Sequence, residues 1–366
     1  MKKTGIYVHI PFCEKKCPYC DFYSRSGTDK LYNEYTSALL SRISSSPYRN
    51  EYTADSLYFG GGTPGLLGAE RLTALVSEVR SSFGLDTDSS EVTAEINPSK
   101  NELDLEQLRK GGVNRISIGV QSADDGELDF LGRQHNSAQA ARCISRARDA
   151  GFDNISLDLM IALPGQTKES LSRSVEFCVR NGAKHISAYI LKIEPGTVFY
   201  RKRDSLCLPD DDEAAELYFH LCSLMKEYGF EHYEISNFCK SGYEGRHNLK
   251  YWHDEEYIGF GPSAHSFING RRFFTPRSFR DFHSGAVTDD GTGGSEEEYI
   301  MLALRLSEGV GLSDFRARFG YELPEKYIEK SRPLEKAGYL KISQSSVALT
   351  EKGFLLSNSI ISSLLS

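Results

Sequence analysis

The chain reads as an α/β fold: six βα units, as a partial (β/α)6 TIM-like barrel or a doubly wound open sheet, followed by a C-terminal α+β, winged-helix-like domain. Three observations lead there. Short apolar, β-branched runs alternate with helical patterns through the first half, which indicates βα units and a parallel sheet. Six such runs precede Pro195-Gly196, too few for a closed eight-stranded barrel. Past that point the periodicity weakens, then returns in a short helix-rich tail.

The expected strands are Gly5–Ile10, Ser56–Phe59, Glu91–Ile96, Arg115–Val120, Ile155–Ile161 and His185–Ile190. Between them, apolar residues at helical spacing predict helices at about Lys30–Ser45, Ala69–Phe83, Leu103–Gly111, Ala138–Ala150 and Lys168–Asn181. Thr167 is a plausible N-cap for the last of these. Asp211–Tyr228 reads as a further helix, and residues 231–275 are rich in Tyr, Phe, His and Gly. The run Asp289-Asp290-Gly291-Thr292-Gly293-Gly294-Ser295 has the composition of a flexible linker. Three short helices, a strand pair (Tyr339–Ile342 and Val347–Thr350) and a last helix follow. The domains are thus expected at 1–200 (barrel), 201–290 (aromatic and His-rich extension) and 296–366 (winged-helix-like).

Composition narrows the function. Among 366 residues, 39% are apolar, with 20 Phe and 20 Tyr, enough for a sizeable core. A net charge of −8 argues against a general nucleic-acid or anionic-membrane binder. The tail does not suit DNA either, with nine Lys and Arg against ten Asp and Glu over 296–366. No apolar run approaches the roughly 18 residues of a membrane span. The apolar stretch after Met1-Lys2-Lys3 is short, contains His9 and ends at Pro11, unlike a secretory signal, so a cytoplasmic protein is expected. Eight cysteines in so long a chain are no disulfide framework.

Three of those cysteines, Cys13, Cys17 and Cys20, form a C-x3-C-x2-C run directly after the first strand. Three thiolates can hold three corners of a cubane iron–sulfur cluster and leave one iron open to a small molecule. A zinc site is the plainer alternative, with His9 as a fourth ligand. Other unusual residues also fall at strand C-terminal ends, where α/β folds place their sites. Gly60-Gly61-Gly62-Thr63-Pro64 follows the second strand, Glu95 ends the third, and Gln121 follows the fourth. Missing side chains at the glycines would let a ligand approach the backbone, although a plain strand-to-helix turn uses glycine too. Asp158 sits inside an apolar strand, which is costly without a partner. Cys143, Cys178, Cys207, Cys222 and Cys239 show no ligand spacing and read as buried or incidental thiols.

The run Tyr7-Val8-His9-Ile10-Pro11-Phe12-Cys13, the cysteine triad and Gly60-Gly61-Gly62-Thr63-Pro64 resemble the radical S-adenosylmethionine (SAM) superfamily. The similarity covers nearly the whole chain. It is narrowest with the branch that contains oxygen-independent coproporphyrinogen III oxidase and the HemW-type haem chaperones. The resemblance implies a radical SAM barrel with a 4Fe–4S cluster on Cys13, Cys17 and Cys20 and with SAM on its open iron. It also implies SAM contacts from Tyr7, Tyr19, Gly61, Gly62, Thr63, Glu95, Gln121, Arg133 and Asp158. The planar fork of Arg133 would suit the SAM carboxylate.

Two features separate the branches. The oxidase branch carries a further cysteine two residues after the triad, and a longer N-terminal extension; here Phe22 takes that place and twelve residues precede Cys13. His247-Asn248-Leu249-Lys250-Tyr251-Trp252 matches the H-N-x-x-Y-W signature of the haem-chaperone branch. The resemblance therefore implies haem contact by His247, Tyr251 and Trp252. Taken alone, these residues read as core aromatics with a hydrogen-bonded histidine. The resulting expectation is a haem chaperone passing haem to an acceptor, such as a respiratory haemoprotein, and receiving electrons from a donor. Oxidative decarboxylation of porphyrinogen propionates is the alternative.

Overall fold

A computed structural model describes residues 1–99 and 103–366. Its first six strands are β1 (Lys2–Ile10), β2 (Tyr52–Gly61), β3 (Glu91–Ile96), β4 (Arg115–Gln121), β5 (Asn154–Ile161) and β6 (His185–Ile190). They lie side by side in chain order and all pair in parallel. The connecting helices start where side chains cap them. Thr28 accepts from Leu31 N–H, Asn136 forms a capping box with Gln139, and Thr167 forms one with Ser170.

Side-chain alternation sorts each strand. One set (Val8, Leu57, Val92, Ile116, Leu157, Ile186) is buried in the same core cluster as Leu39, Leu75, Ile144 and Val175 of the helices. The other set is polar and bonds across the lumen: Tyr58 to Glu95, Ser117 to Asp158, Ser156 to His185. A lumen lined this way holds charge and hydrogen bonds that an apolar core would not tolerate.

The extension continues this sheet on both sides. β7 (Glu231–Glu234) and β8 (Asn237–Cys239) pair antiparallel with each other, and β8 joins β6. β9 (Tyr257–Phe260) pairs in parallel with β1, and β10 (His265–Ile268), β11 (Arg271–Phe274) and β12 (Thr288–Thr292) extend outward from it. The result is a twelve-stranded sheet that does not close, running from β12 to β7. The expected linker is corrected here: Asp289 and its neighbours form β12, paired with β11. Their composition is loop-like, but the partner strand supplies the hydrogen bonds.

The C-terminal part packs helices Glu296–Ala303, Leu312–Phe319, Glu325–Lys336, Glu351–Leu355 and Ser357–Leu365 around a small sheet. That sheet is β13 (Val310–Gly311), β15 (Ser346–Leu349) and β14 (Leu340–Ile342) in spatial order. Among the described residues, no helix is long and apolar enough to cross a membrane.

Candidate functional site

The chain leaves β1 at Pro11 and makes a loop pinned at its neck. Cys13 N–H donates to Arg25 O at 3.0 Å, and Arg25 N–H donates to Pro11 O at 2.9 Å. Phe12, fully buried edge-on against Tyr32 and Tyr35, anchors that neck in the core. Cys13, Cys17 and Cys20 are thereby presented to one cavity of about 740 Å3 at the C-terminal ends of the strands. The volume lies in the range of small-molecule sites.

The same cavity is lined by Tyr19, Gly61, Gly62, Thr63, Glu95, Gln121, Arg133 and Asp158. Tyr7 is not on its wall. It lies within the lumen, its hydroxyl 3.0 Å from His9 Nδ1 and its ring stacked on Tyr58.

The glycines act first on the protein itself. A Cβ on Gly62 would stand 2.5 Å from Phe12 O, and one on Gly61, where φ is +111°, would strike the His9 ring. Glycine is what lets the β2 loop lie against the cysteine loop. That contact brings the Thr63 hydroxyl to 3.8 Å from Cys13 Sγ.

Arg133 reaches in from the far side. It lies 3.6 Å from Cys17 Sγ, donates to Gly119 O at 2.9 Å, and bonds Asn97 Oδ1. Asn97 in turn donates to Thr63 Oγ1 at 2.9 Å. Asn97 therefore joins the two residues that touch the cysteine sulfurs. It was missed as a site residue because an Asn before Pro98 reads as a turn former. Gln121 holds a left-handed φ of +69°, uncommon for a residue with a side chain.

Two of the carboxylates on the cavity wall, Glu95 and Asp158, are deeply set. Glu95 accepts from the Tyr58 hydroxyl at 2.7 Å and from Gly61 N–H at 3.2 Å. Burial pushes its pKa up to about 7, against the pull of those hydrogen bonds. Asp158 accepts from Ser117 at 3.0 Å, and burial raises it to about 6. Such acids are poised to pair with a cationic or hydrogen-bond-donating ligand.

The donor set also answers the zinc alternative. Both His9 nitrogens are engaged, Nδ1 with the Tyr7 hydroxyl at 3.0 Å and Nε2 with Tyr23 O at 3.1 Å. Burial raises the Cys13 and Cys20 thiols, so thiolates there call for a strongly cationic partner. Three half-buried sulfurs around an open cavity fit a cluster with a vacant iron better than one tetrahedral ion.

The structure does not bring His247, Tyr251 and Trp252 to this cavity. They lie on the helix Arg246–Trp252, whose first N–H groups bond Glu91 at the start of β3, the opposite end of the barrel. His247 is fully buried, with Nδ1 2.8 Å from the Ser56 hydroxyl and Nε2 2.8 Å from the Tyr251 hydroxyl. Its ring stacks on Tyr58. Burial and the nearby Lys250 and Arg115 lower its pKa to about 3. Both His247 ring nitrogens are thus engaged within the protein. The motif instead plugs the base of the lumen.

Comparison with known proteins follows the same lines. The Radical SAM superfamily pattern matches residues 7–178 and the HemN C-terminal domain matches residues 297–356. The heme chaperone HemW of Bacillus subtilis (strain 168) is 37% identical, with 98% of each chain covered. That of Escherichia coli (strain K12) is 34% identical over 98% of this chain and 97% of its own. In fold, the chain matches coproporphyrinogen III oxidase (HemN) from Escherichia coli with a TM-score of 0.84 at 22% identity, covering 99% of this chain and 90% of that one. The chain belongs to the radical SAM superfamily and, within it, to the family of the heme chaperone HemW.

Proposed function

We propose that this protein binds haem and passes it to an acceptor haemoprotein, and that SAM and a 4Fe–4S cluster occupy the cavity at the barrel mouth. The observation that carries the reading is full-length similarity to curated heme chaperones at 37% and 34% identity. In this reading Cys13, Cys17 and Cys20 hold the cluster. Thr63, Glu95, Gln121, Arg133 and Asp158, with Tyr19 and the Gly61-Gly62 backbone, hold SAM. The cluster supplies one-electron chemistry at the SAM sulfonium when bound. The protein's own part is to fix the thiolates, neutralise charge through Arg133 and keep bulk water out of the lumen.

Haem is assigned to the same mouth rather than to His247. Phe22 and Tyr189 are exposed rings on the cavity lining, and Met160, Ile190, Phe354 and Leu355 extend that apolar surface. Lys192 and Arg305 line it as well, and Arg305 donates to Ser357 and Asn358 rather than to a carboxylate. A flat apolar ring system with two propionates matches that mixture. Phe22, at the place of the oxidase branch's additional cysteine, speaks for carriage over porphyrinogen oxidation.

The test is a haem titration of the purified protein, followed through the Soret band. A parallel anaerobic assay with SAM and a reductant measures conversion of coproporphyrinogen III to protoporphyrinogen IX. Stoichiometric haem binding without turnover is expected. Turnover without stoichiometric haem binding would establish the oxidase alternative instead.

A further inference from the structure

Away from the cavity's cysteines, three side chains of metal-binding type converge: Cys222, His232 and Glu351. They come from three separate elements, the helix Asp211–Glu227, β7 and the first turn of the helix Glu351–Leu355. One ligand atom from each lies within 4.8 Å of the other two, and no other such group occurs among the described residues.

The surroundings are those of a built site. The His232 ring is held flat on Phe238 at 4.2 Å and tilted against Phe354 at 5.0 Å, so its direction is fixed. Its Nε2 is buried with no hydrogen-bond partner. The Tyr218 hydroxyl, on a residue 5% exposed, lies against the Cys222 sulfur and orients it. A buried polar atom without a partner is rare and costly, and the His232 nitrogen beside a thiol and a carboxylate asks for one. Burial keeps the imidazole neutral, its ligating form, with the pKa lowered to about 4. Glu351 is exposed and free to swing inward, which suits a set slightly wider than the roughly 3.5 Å between donors around a tetrahedral ion.

We propose that Cys222, His232 and Glu351 bind one zinc-class divalent cation, with water in the remaining position. Thiolate, imidazole and carboxylate together select zinc over magnesium or calcium. Binding releases the Cys222 thiol proton to solvent and changes no oxidation state. The ion ties the C-terminal domain to the barrel extension. It also bears on the main cavity, because Tyr218, Phe354 and Leu355 lie on the cavity wall.

The test uses the full chain, anaerobically reconstituted with iron and sulfide, incubated with zinc and desalted. Elemental counting should find a single zinc that survives replacement of Cys13, Cys17 and Cys20 by Ala. Cys222→Ser and His232→Gln should each abolish it, and Glu351→Gln should weaken zinc affinity by about tenfold or more. In the triad-free chain, cobalt should give a thiolate charge-transfer band that Cys222→Ser removes. Zinc that is not retained, that disappears with the triad, or that is indifferent to all three substitutions overturns the proposal. Should Cys222→Ser fail to fold, the exposed Glu351→Gln decides alone: unchanged zinc affinity there overturns it.

Discussion

Tyr58 and Glu95 share a 2.7 Å hydrogen bond across the lumen, and the Tyr58 ring stacks on His247. One tyrosine thus links the carboxylate at the mouth of the barrel to the histidine that closes its base. The HNxxYW helix reaches the cofactor cavity through this contact, not by facing it.

Glu95 makes stability depend on pH in the cofactor-free chain. Its folded pKa of about 7 lies above the ordinary 4.5, so the folded state holds a proton the unfolded state has released. That contribution is complete below about 4.5 and is lost as pH rises through about 7. Glu95→Gln should flatten the fall in urea midpoint across this window, leaving the smaller slope from Asp158. Tyr58→Phe removes a bond that favours the carboxylate, so it should raise the Glu95 pKa further, readable by carboxyl infrared titration.

Asn97→Ala deserts both Thr63 and Arg133. The lost hydrogen bonds are worth about 1–1.5 kcal/mol each, so SAM affinity of the reconstituted protein should fall roughly tenfold. Equilibrium dialysis with labelled SAM measures this, with iron content as the control for an intact cluster.

Replacing any one of Cys13, Cys17 or Cys20 by Ala should remove the brown cluster absorbance and bring iron to background after anaerobic reconstitution. Replacing Cys143 or Cys239 should leave both unchanged. Elemental analysis separates the two outcomes.

His247→Ala leaves Ser56 and Tyr251 without their partner in a closed interior. A loss of about 1–3 kcal/mol is expected per buried group left unpaired, measured as a lower urea midpoint. Haem titration of the folded variant should follow the parent curve. A lost Soret shift with unchanged stability would return His247 to the haem site.

The six parallel strands were legible because each carries its own apolar run, and the cysteine motif after β1 and the glycine motif after β2 mark the functional face. The candidate residues Gly61, Thr63, Glu95, Gln121 and Asp158 meet at one cavity for the same reason, since strand ends converge by topology. What local pattern cannot carry is long-range pairing. Nothing in residues 257–260 announces that they will lie parallel to β1, and Asp289-Asp290-Gly291 looks like a tether until its partner strand is known. The burial of His247 was not legible for a related reason: a histidine beside aromatics looks alike in a ligand site and in a plug, and only the folded chain places it against Ser56, Glu91 and Tyr58. Cys222, His232 and Glu351 are scattered over some 130 residues and offered no spacing to read.

An unclosed sheet has two raw rims, and each is guarded differently. On one side β12 is wholly exposed and carries two charged side chains, Asp289 paired with Arg271 and Asp290 beside His265. On the other, the backbone of Arg305 and Ser307 bonds to Ile235 and Tyr233 and roofs over β7. A strand from a neighbouring molecule would thus have to desolvate charged side chains at one rim and is shut out at the other. Removing residues 296–366 would strip the second guard, along with the part of the cavity wall that Arg305, Phe354 and Leu355 supply, and invite edge-to-edge polymerisation.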